Sequence, residues 1–259
     1  MPDIHPTAII EKGAQLADDV SVGAYSIISA KVKIDSNTKV GPHVVINGPT
    51  TLGKNNEIYQ FASIGEAPQD KKYNGEDTEL IIGDDNVIRE FTTLNRGTVQ
   101  GGAKTVLGNG NLIMAYVHLA HDCIIGNHNI LANNVALAGH VTIYDYVILG
   151  GYSLVHQFCS IGNNAFSAMN SVVSKDIPPY LMVSGHMAKP HGLNTEGLKR
   201  HNFDSETIRL LKDAYSILYR SGLTLEQAKE KLVTLAPDNK ELTLFLNFLQ
   251  NHLHRGLIR

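Results

Sequence analysis

Three histidines suited to chemistry crowd the stretch Ala115–His140, AYVHLAHDCIIGNHNILANNVALAGH: His118, His121 and His140. A neutral imidazole can remove a hydroxyl proton near neutral pH, which is what moving an acyl group onto an alcohol requires. Asp122 follows His121 and would orient its ring. Neighbours on a strand point to opposite sides, however, so that pairing needs a corner in the chain. Gly139 precedes His140. A backbone N–H with no side chain in front of it can receive a developing oxyanion. With twelve histidines in the chain, the plain alternative for any one of them is a solvated surface ring.

What must position these residues is a six-residue repeat. Every sixth residue from Ile4 to Ile64 is aliphatic, and a small or β-branched residue follows most of them four places later. This is neither a helical period nor a simple alternation. It describes short strands joined by tight corners, each strand sending one large and one small residue inward. Glu66–Leu80, EAPQDKKYNGEDTEL, breaks the frame with Pro, Gly and charges, as an ejected loop does. The frame returns in phase at Ile82, Ile88 and Leu94, breaks again over Asn95–Val106, and resumes one residue out of phase at Leu107. Three hexads per coil make a triangular parallel β-helix, in which no coil buries its apolar face alone. About ten coils at about 4.8 Å each predict a prism about 45–50 Å long.

In an 18-residue coil, residues i and i+18 lie one above the other. His121, Gly139 and Gln157 then form a column at one corner, with His140 beside it and His156 adjacent. Spacing alone gathers an imidazole, an unobstructed backbone position and an amide on one edge. Cys123 and Cys159 fall at the small inward position two coils apart, about 9–10 Å, too far for a disulfide. His5, His43 and His128 have no partners in the frame and are expected at the surface.

The repeat stops at Asp176-Ile-Pro-Pro-Tyr180, and from about Asn194 the composition turns helical. Asp204 or Ser205 caps one expected helix, ended by Gly222. Thr224 with Gln227 forms the capping box of a second, and Asp238 precedes a third. The expected division is a prism over 1–190, with excursions near 66–80 and 95–106, and a helical domain over 191–259, packed on the prism or on a neighbouring chain. Net charge is −3 and the pI about 6.4, without the basic excess of a nucleic-acid binder. Neither a signal peptide nor a window long enough to span a membrane is apparent, so a soluble cytoplasmic protein is expected.

The segments IYQFASIGEAPQDKKYNGE, HLAHDCIIGN, ILANNVALAGHV, LVHQFCSIG, DIPPY and NTEGLKR closely resemble the UDP-N-acetylglucosamine O-acyltransferases of lipid A biosynthesis, across essentially the whole chain. The resemblance implies a left-handed parallel β-helix with a C-terminal α-helical domain, assembled as a homotrimer with active sites between subunits. It implies transfer of a 3-hydroxyacyl chain from acyl carrier protein to the glucosamine 3-hydroxyl of UDP-N-acetylglucosamine. No cofactor or metal is implied, the acyl group arriving on the phosphopantetheine arm of the carrier. By matching motif, His121 is the general base, Asp122 its partner and Gly139 the oxyanion donor. His118, His140, His156 and Gln157 match substrate-contacting positions. Asp70 and Lys72 match ligands of the sugar nucleotide, expected to reach across a subunit boundary because residue count places them over two coils from His121. Asn194, Glu196 and Arg200 match contacts to the nucleotide and its phosphates. His201 departs from the pattern, which often has a second Arg there, and this bears on diphosphate contact or carrier docking. Met169 matches the position that floors the acyl groove. Where that residue is Gly the groove takes a longer chain, so methionine implies a donor in the decanoyl-to-dodecanoyl range.

Two other classes compete with this one. Three imidazoles and a water would make a catalytic zinc site on a trimeric prism, and a non-catalytic scaffold would need none of these residues. The related N-acyltransferases carry an extra N-terminal uridine-binding domain, which is not expected here because the hexads begin at Ile4.

Overall fold

A computed structural model describes residues 1–235 and 238–259. Two- to five-residue strands wind into three sheets of 11, 9 and 8 strands, the three faces of a prism. The first face begins with Asp3–Ile4, the second with Ile9–Ile10 and the third with Gln15–Leu16. Pairing is parallel with an 18-residue step, as in Asp3↔Ser21 and His118↔Ala136. The last pair, Leu181–Ser184 with Lys189–Leu193, is antiparallel. Such short strands persist because each backbone group pairs with the coil above or below. The inward aliphatics stack into one core: Ile28, Ile46, Ile64, Leu94, Leu119 and Leu137 on the second face have no solvent exposure. Cys123 and Cys159 are free and buried among them, and burial pushes both thiols up to about 12.

Each coil turns at corners by placing one residue in the left-handed region, for example Phe91, Asp122 and Tyr146, with φ of 58°, 61° and 59°. Outside glycine this conformation costs about 1–3 kcal/mol, and side chains stacked coil on coil offset it. Between the first and second faces runs an aromatic edge. There the rings of Tyr25, His43, Phe61, Phe91 and Tyr116 stack at 5.1, 5.4, 5.0 and 4.9 Å. Between the third and first faces runs an asparagine edge. Buried Asn56, Asn86 and Asn111 each accept the backbone N–H of the next asparagine, at 3.0, 2.9 and 2.9 Å, and Asn129 accepts from Val147 at 2.7 Å.

Both excursions leave the remaining edge, between the second and third faces. The first joins Ser63–Glu66 to Glu79–Ile82 and the second joins Thr93–Asn95 to Lys104–Leu107. Across them the step between paired residues grows from 18 to 30, Ile58↔Ile88, and to 25, Ile88↔Ile113. The first excursion thus adds 12 residues (30 − 18), two hexads, and the phase survives. The second adds 7 (25 − 18), which is the one-residue shift seen in the sequence.

The final strand, Lys189–Leu193, runs across residue 190, where the prism was expected to end. The helices follow as α1 Thr195–Arg200, α2 Ser205–Tyr219, α3 Leu225–Leu235 and α4 Lys240–Asn251. Asp204 caps α2, and Thr224 and Gln227 bond reciprocally at 3.1 and 3.3 Å. Asp238 precedes α4, and Asn239 caps it. The short α1 carries no amphipathic signal of its own. The helices pack on their own prism. Tyr180 Oη donates to Glu241 at 2.6 Å, Tyr144 Oη meets His252 Nδ1 at 2.8 Å, and buried Asp176 accepts from the backbone N–H of Ser160 and Arg255.

Candidate active site

The histidine column stands on the edge from which both excursions depart. His118 lies on the second face, on the strand His118–Leu119, and His121 and Asp122 form the corner that follows. One coil on, Gly139 and His140 form the same corner, and Gln157 and Phe158 the next. Backbone N–H groups link them, His140 to the carbonyl of His121 and Phe158 to that of Gly139. The left-handed φ of Asp122 swings consecutive side chains together, so His121 Nδ1 lies 2.7 Å from Asp122 Oδ2. A carboxylate only accepts, so Nδ1 carries the proton and Nε2 is left as the base. The Asp122 side chain is fully buried, while that of His121 keeps 15% exposure.

Gly139 is required by this packing. A Cβ there would stand 2.6 Å from His121 Cε1. Its N–H makes no hydrogen bond among the described residues. His140 stacks on Phe158 at 4.5 Å and meets the His121 ring edge-on at 5.2 Å, with Nε2 3.6 Å from Asp122 Oδ2. Burial lowers the His140 pKa; Asp122 opposes that, His121 adds to it, and the charge of Asp70 opposes it again. His118 is lowered by burial and then by His121, and its Nδ1 lies 2.7 Å from Thr93 Oγ1 on the coil below. His156 and Gln157 are exposed above the pair.

Within one chain the charge of Asp70 bears on His140, so the loop stands by the histidine edge of its own prism. Counting residues treats the loop as rise along the axis, whereas it leaves the prism at the histidine edge and lies along it. Asp70 closes a turn there by accepting the Lys72 N–H at 3.0 Å. Arg96 holds the loop, bonding the Gly65 carbonyl and Tyr73 Oη.

The other expected residues lie on other edges. Asn194 caps α1, accepting from Gly197 N–H at 3.1 Å and donating to the Asn164 carbonyl at 3.0 Å. Exposed Glu196 pairs with Lys199. Arg200 borders two cavities of about 560 and 370 Å³ beside Tyr146 on the asparagine edge. His201 is built into the joint between helix and prism, its Nδ1 2.6 Å from Asn164 Oδ1 and its ring edge-on to Tyr146. Met169, 78% exposed, stands at the aromatic edge, beyond the strand Phe166–Ser167. The site residues thus occupy three edges, and one chain does not bring them together.

Thr93, Thr98 and Thr105 were missed by sequence reasoning. Thr93 is readable in hindsight, one coil below His118. Thr105, one coil below Cys123, accepts the Asp122 N–H at 2.8 Å. Thr98 sits in the second excursion, where no frame applies. The ligand atoms of His121, Asp122 and His140 lie within 4.8 Å of one another, the geometry a zinc reading needs. Asp122 Oδ2, however, already accepts from Thr98 Oγ1 and from His121 Nδ1. That donor set suits hydrogen bonding.

The model of the bacterial transferase hexapeptide, six repeats, matches residues 104–139, the coils that carry His118 and His121, and the prism is a hexapeptide-repeat transferase scaffold. A second model, domain 2 of UDP-N-acetylglucosamine O-acyltransferase, matches residues 176–258. The acyl-(acyl-carrier-protein)–UDP-N-acetylglucosamine O-acyltransferase of Thiobacillus denitrificans is 54% identical over 100% of both chains. The solved UDP-N-acetylglucosamine O-acyltransferase of Moraxella catarrhalis superposes with a TM-score of 0.96 at 47% identity over 99% of both chains. That of Francisella novicida superposes at 0.97 with 43% identity, over 99% of this chain and 94% of the other. The chain belongs to the UDP-N-acetylglucosamine O-acyltransferase family, acyltransferases built on a left-handed parallel β-helix.

Proposed function

We propose that the chain moves a 3-hydroxyacyl group from acyl carrier protein to the 3-hydroxyl of UDP-N-acetylglucosamine, the first step of lipid A biosynthesis. The observation that carries the chemistry is the His121–Asp122 pair at 2.7 Å beside the N–H of Gly139, which is unpaired among the described residues. His121 Nε2 takes the hydroxyl proton as the oxygen attacks the thioester carbonyl, and Asp122 stabilises the imidazolium that forms. Gly139 N–H donates to the oxyanion. The C–S bond then breaks, and the proton passes from His121 to the departing sulfur. His118, His140, His156 and Gln157 line the acceptor's approach, with Asp70 and Lys72 on the loop alongside. The protein needs no cofactor of its own in this reading, and both substrates place it in the cytoplasm.

The dispersal of the site over three edges supports a homotrimer. A threefold arrangement sets the histidine edge of one subunit against a neighbour. Arg200 with Asn194 and Glu196 would then meet the nucleotide, and Met169 the end of the acyl chain. Acyl transfer measured with purified carrier protein bearing a series of 3-hydroxyacyl chains tests the reading. Transfer to the nucleotide sugar, highest for decanoyl or dodecanoyl donors, is expected. No transfer from any carrier-bound donor would overturn it.

A further inference from the structure

The second excursion has no place in the hexad frame and no part in the reaction as described so far. Its short 3₁₀ turn, Val99–Gly101, is capped by Thr98. Thr98 is 2% exposed and Asp122 4% exposed. The Thr98 backbone N–H donates to Asp122 Oδ1 and the Thr98 hydroxyl donates to Asp122 Oδ2, both at 2.7 Å. The hydroxyl itself accepts the Gly101 N–H at 3.2 Å. Within the same turn, a Cβ on Gly101 would overlap the same carboxylate.

A carboxylate turns about a broad, two-fold torsion and is not aimed by its own rotamer. Two donors from a single residue, one to each oxygen, fix its plane. Hydrogen bonds to an ionised acceptor are also the strong kind. With the plane fixed, Oδ2 faces His121 Nδ1 and keeps the basic lone pair on Nε2. We infer that Thr98 is a positioning residue of the transfer reaction, clamping the Asp122 carboxylate so that it holds His121 in its reactive tautomer. The second excursion is thereby part of the catalytic apparatus without touching substrate. This rests on His121 being the base.

The test compares full-length variants in the acyl-transfer assay. Thr98→Val keeps the shape and removes the hydroxyl. It should lower kcat about tenfold to a hundredfold, the worth of a hydrogen bond to a charged group, with KM for both substrates within about twofold of wild type. Thr98→Ser should restore kcat to within about threefold. In an Asp122→Asn background, Thr98→Val should cost nothing further, as expected of residues acting as one unit. Gly101→Ala pushes a methyl group from the same turn against the carboxylate and should also lower kcat; it decides the matter if the valine variant does not fold. Wild-type kcat in Thr98→Val, an equal loss in Thr98→Ser, or a further loss in the Asp122→Asn background would overturn the inference. If His121→Ala kept its turnover, the base assignment would fall as well. If His121→Ala lost turnover while Thr98→Val did not, only the clamp would fall.

Discussion

The aromatic edge and the histidine edge are built by the same backbone move. At both, a left-handed residue turns the coil and its side chain stands over the one below. On the aromatic edge that residue is a ring five times in succession, from Tyr25 to Tyr116, and each ring lies on the next. On the histidine edge it reads Asp122, His140, Phe158. Stacking survives between His140 and Phe158 and gives way to hydrogen bonding at Asp122. The residue just before the turn matters as much. The left-handed corner brings it against its neighbour, and only the histidine edge puts an imidazole before a carboxylate. On the aromatic edge, Glu90 precedes Phe91 but pairs backward with Arg89 at 2.9 Å. One corner geometry can thus serve either cohesion or proton transfer, and the side chains decide which.

The sharpest break in that comparison is His121→Ala. Turnover should fall about two to four orders of magnitude, the usual worth of a general base, with fold and assembly intact because a corner side chain adds little to the core. Near-wild-type turnover in steady-state assays would remove His121 from the mechanism. Mixed assemblies extend the comparison to the third edge. His121→Ala and Arg200→Ala lie on different edges, so exchanging subunits between the two inactive variants should rebuild complete clefts and restore part of the activity. His121→Ala mixed with Lys72→Ala should restore none, because both residues serve the same edge of one chain. Complementation in the reverse pattern would refute the arrangement of shared sites.

Met169→Gly should shift preference toward longer donors by about tenfold or more, since overpacking a filled groove costs about 1–3 kcal/mol. An unchanged preference across the donor series would show that Met169 is not the ruler. On the aromatic edge, Phe91→Ala removes two stacked contacts worth about 0.5–1.5 kcal/mol each. Denaturant titration should show a loss of about 1–3 kcal/mol while kcat stays at wild type. A fall in kcat would mean that this edge reaches the chemistry.

The smallest expected effect is on acid stability. Burial holds His118 and His140 below the ordinary imidazole value of 6.5. The unfolded chain therefore binds protons that the folded chain refuses. Their contribution is complete above about pH 6.5 and is lost as pH falls below it. Unfolding midpoints measured across that window should drop toward acid, and His118→Asn should flatten the slope.

Much of this was readable because the aliphatic hexads leave so little freedom. Once Leu119, Leu137 and Val155 point inward, His121, Gly139 and Gln157 must share a corner. Whether His121 could meet Asp122 was not readable, because that depends on a left-handed φ at a non-glycine residue. The place of the Asp70 loop was not readable, because distance along the chain is not distance along the prism once a segment leaves the coil. Thr98 was invisible for the same reason: inside an excursion no neighbour fixes direction. The helix Thr195–Arg200 is too short for an apolar stripe, and Asp238 and Asn239 are equally good caps one residue apart.

The asparagine column carries a consequence for how such an enzyme can change. Its members are 30, 25 and 18 residues apart in the chain, yet the bonds between them are alike. The column counts turns of the prism and ignores how much polypeptide each turn contains. Either excursion can lengthen, shorten or be recast while the opposite edge keeps its registry. Selection on what the enzyme does at the histidine edge is thereby uncoupled from selection on whether it folds, and loop grafts between relatives should leave the fold intact at these two positions where insertions elsewhere in the coil would not.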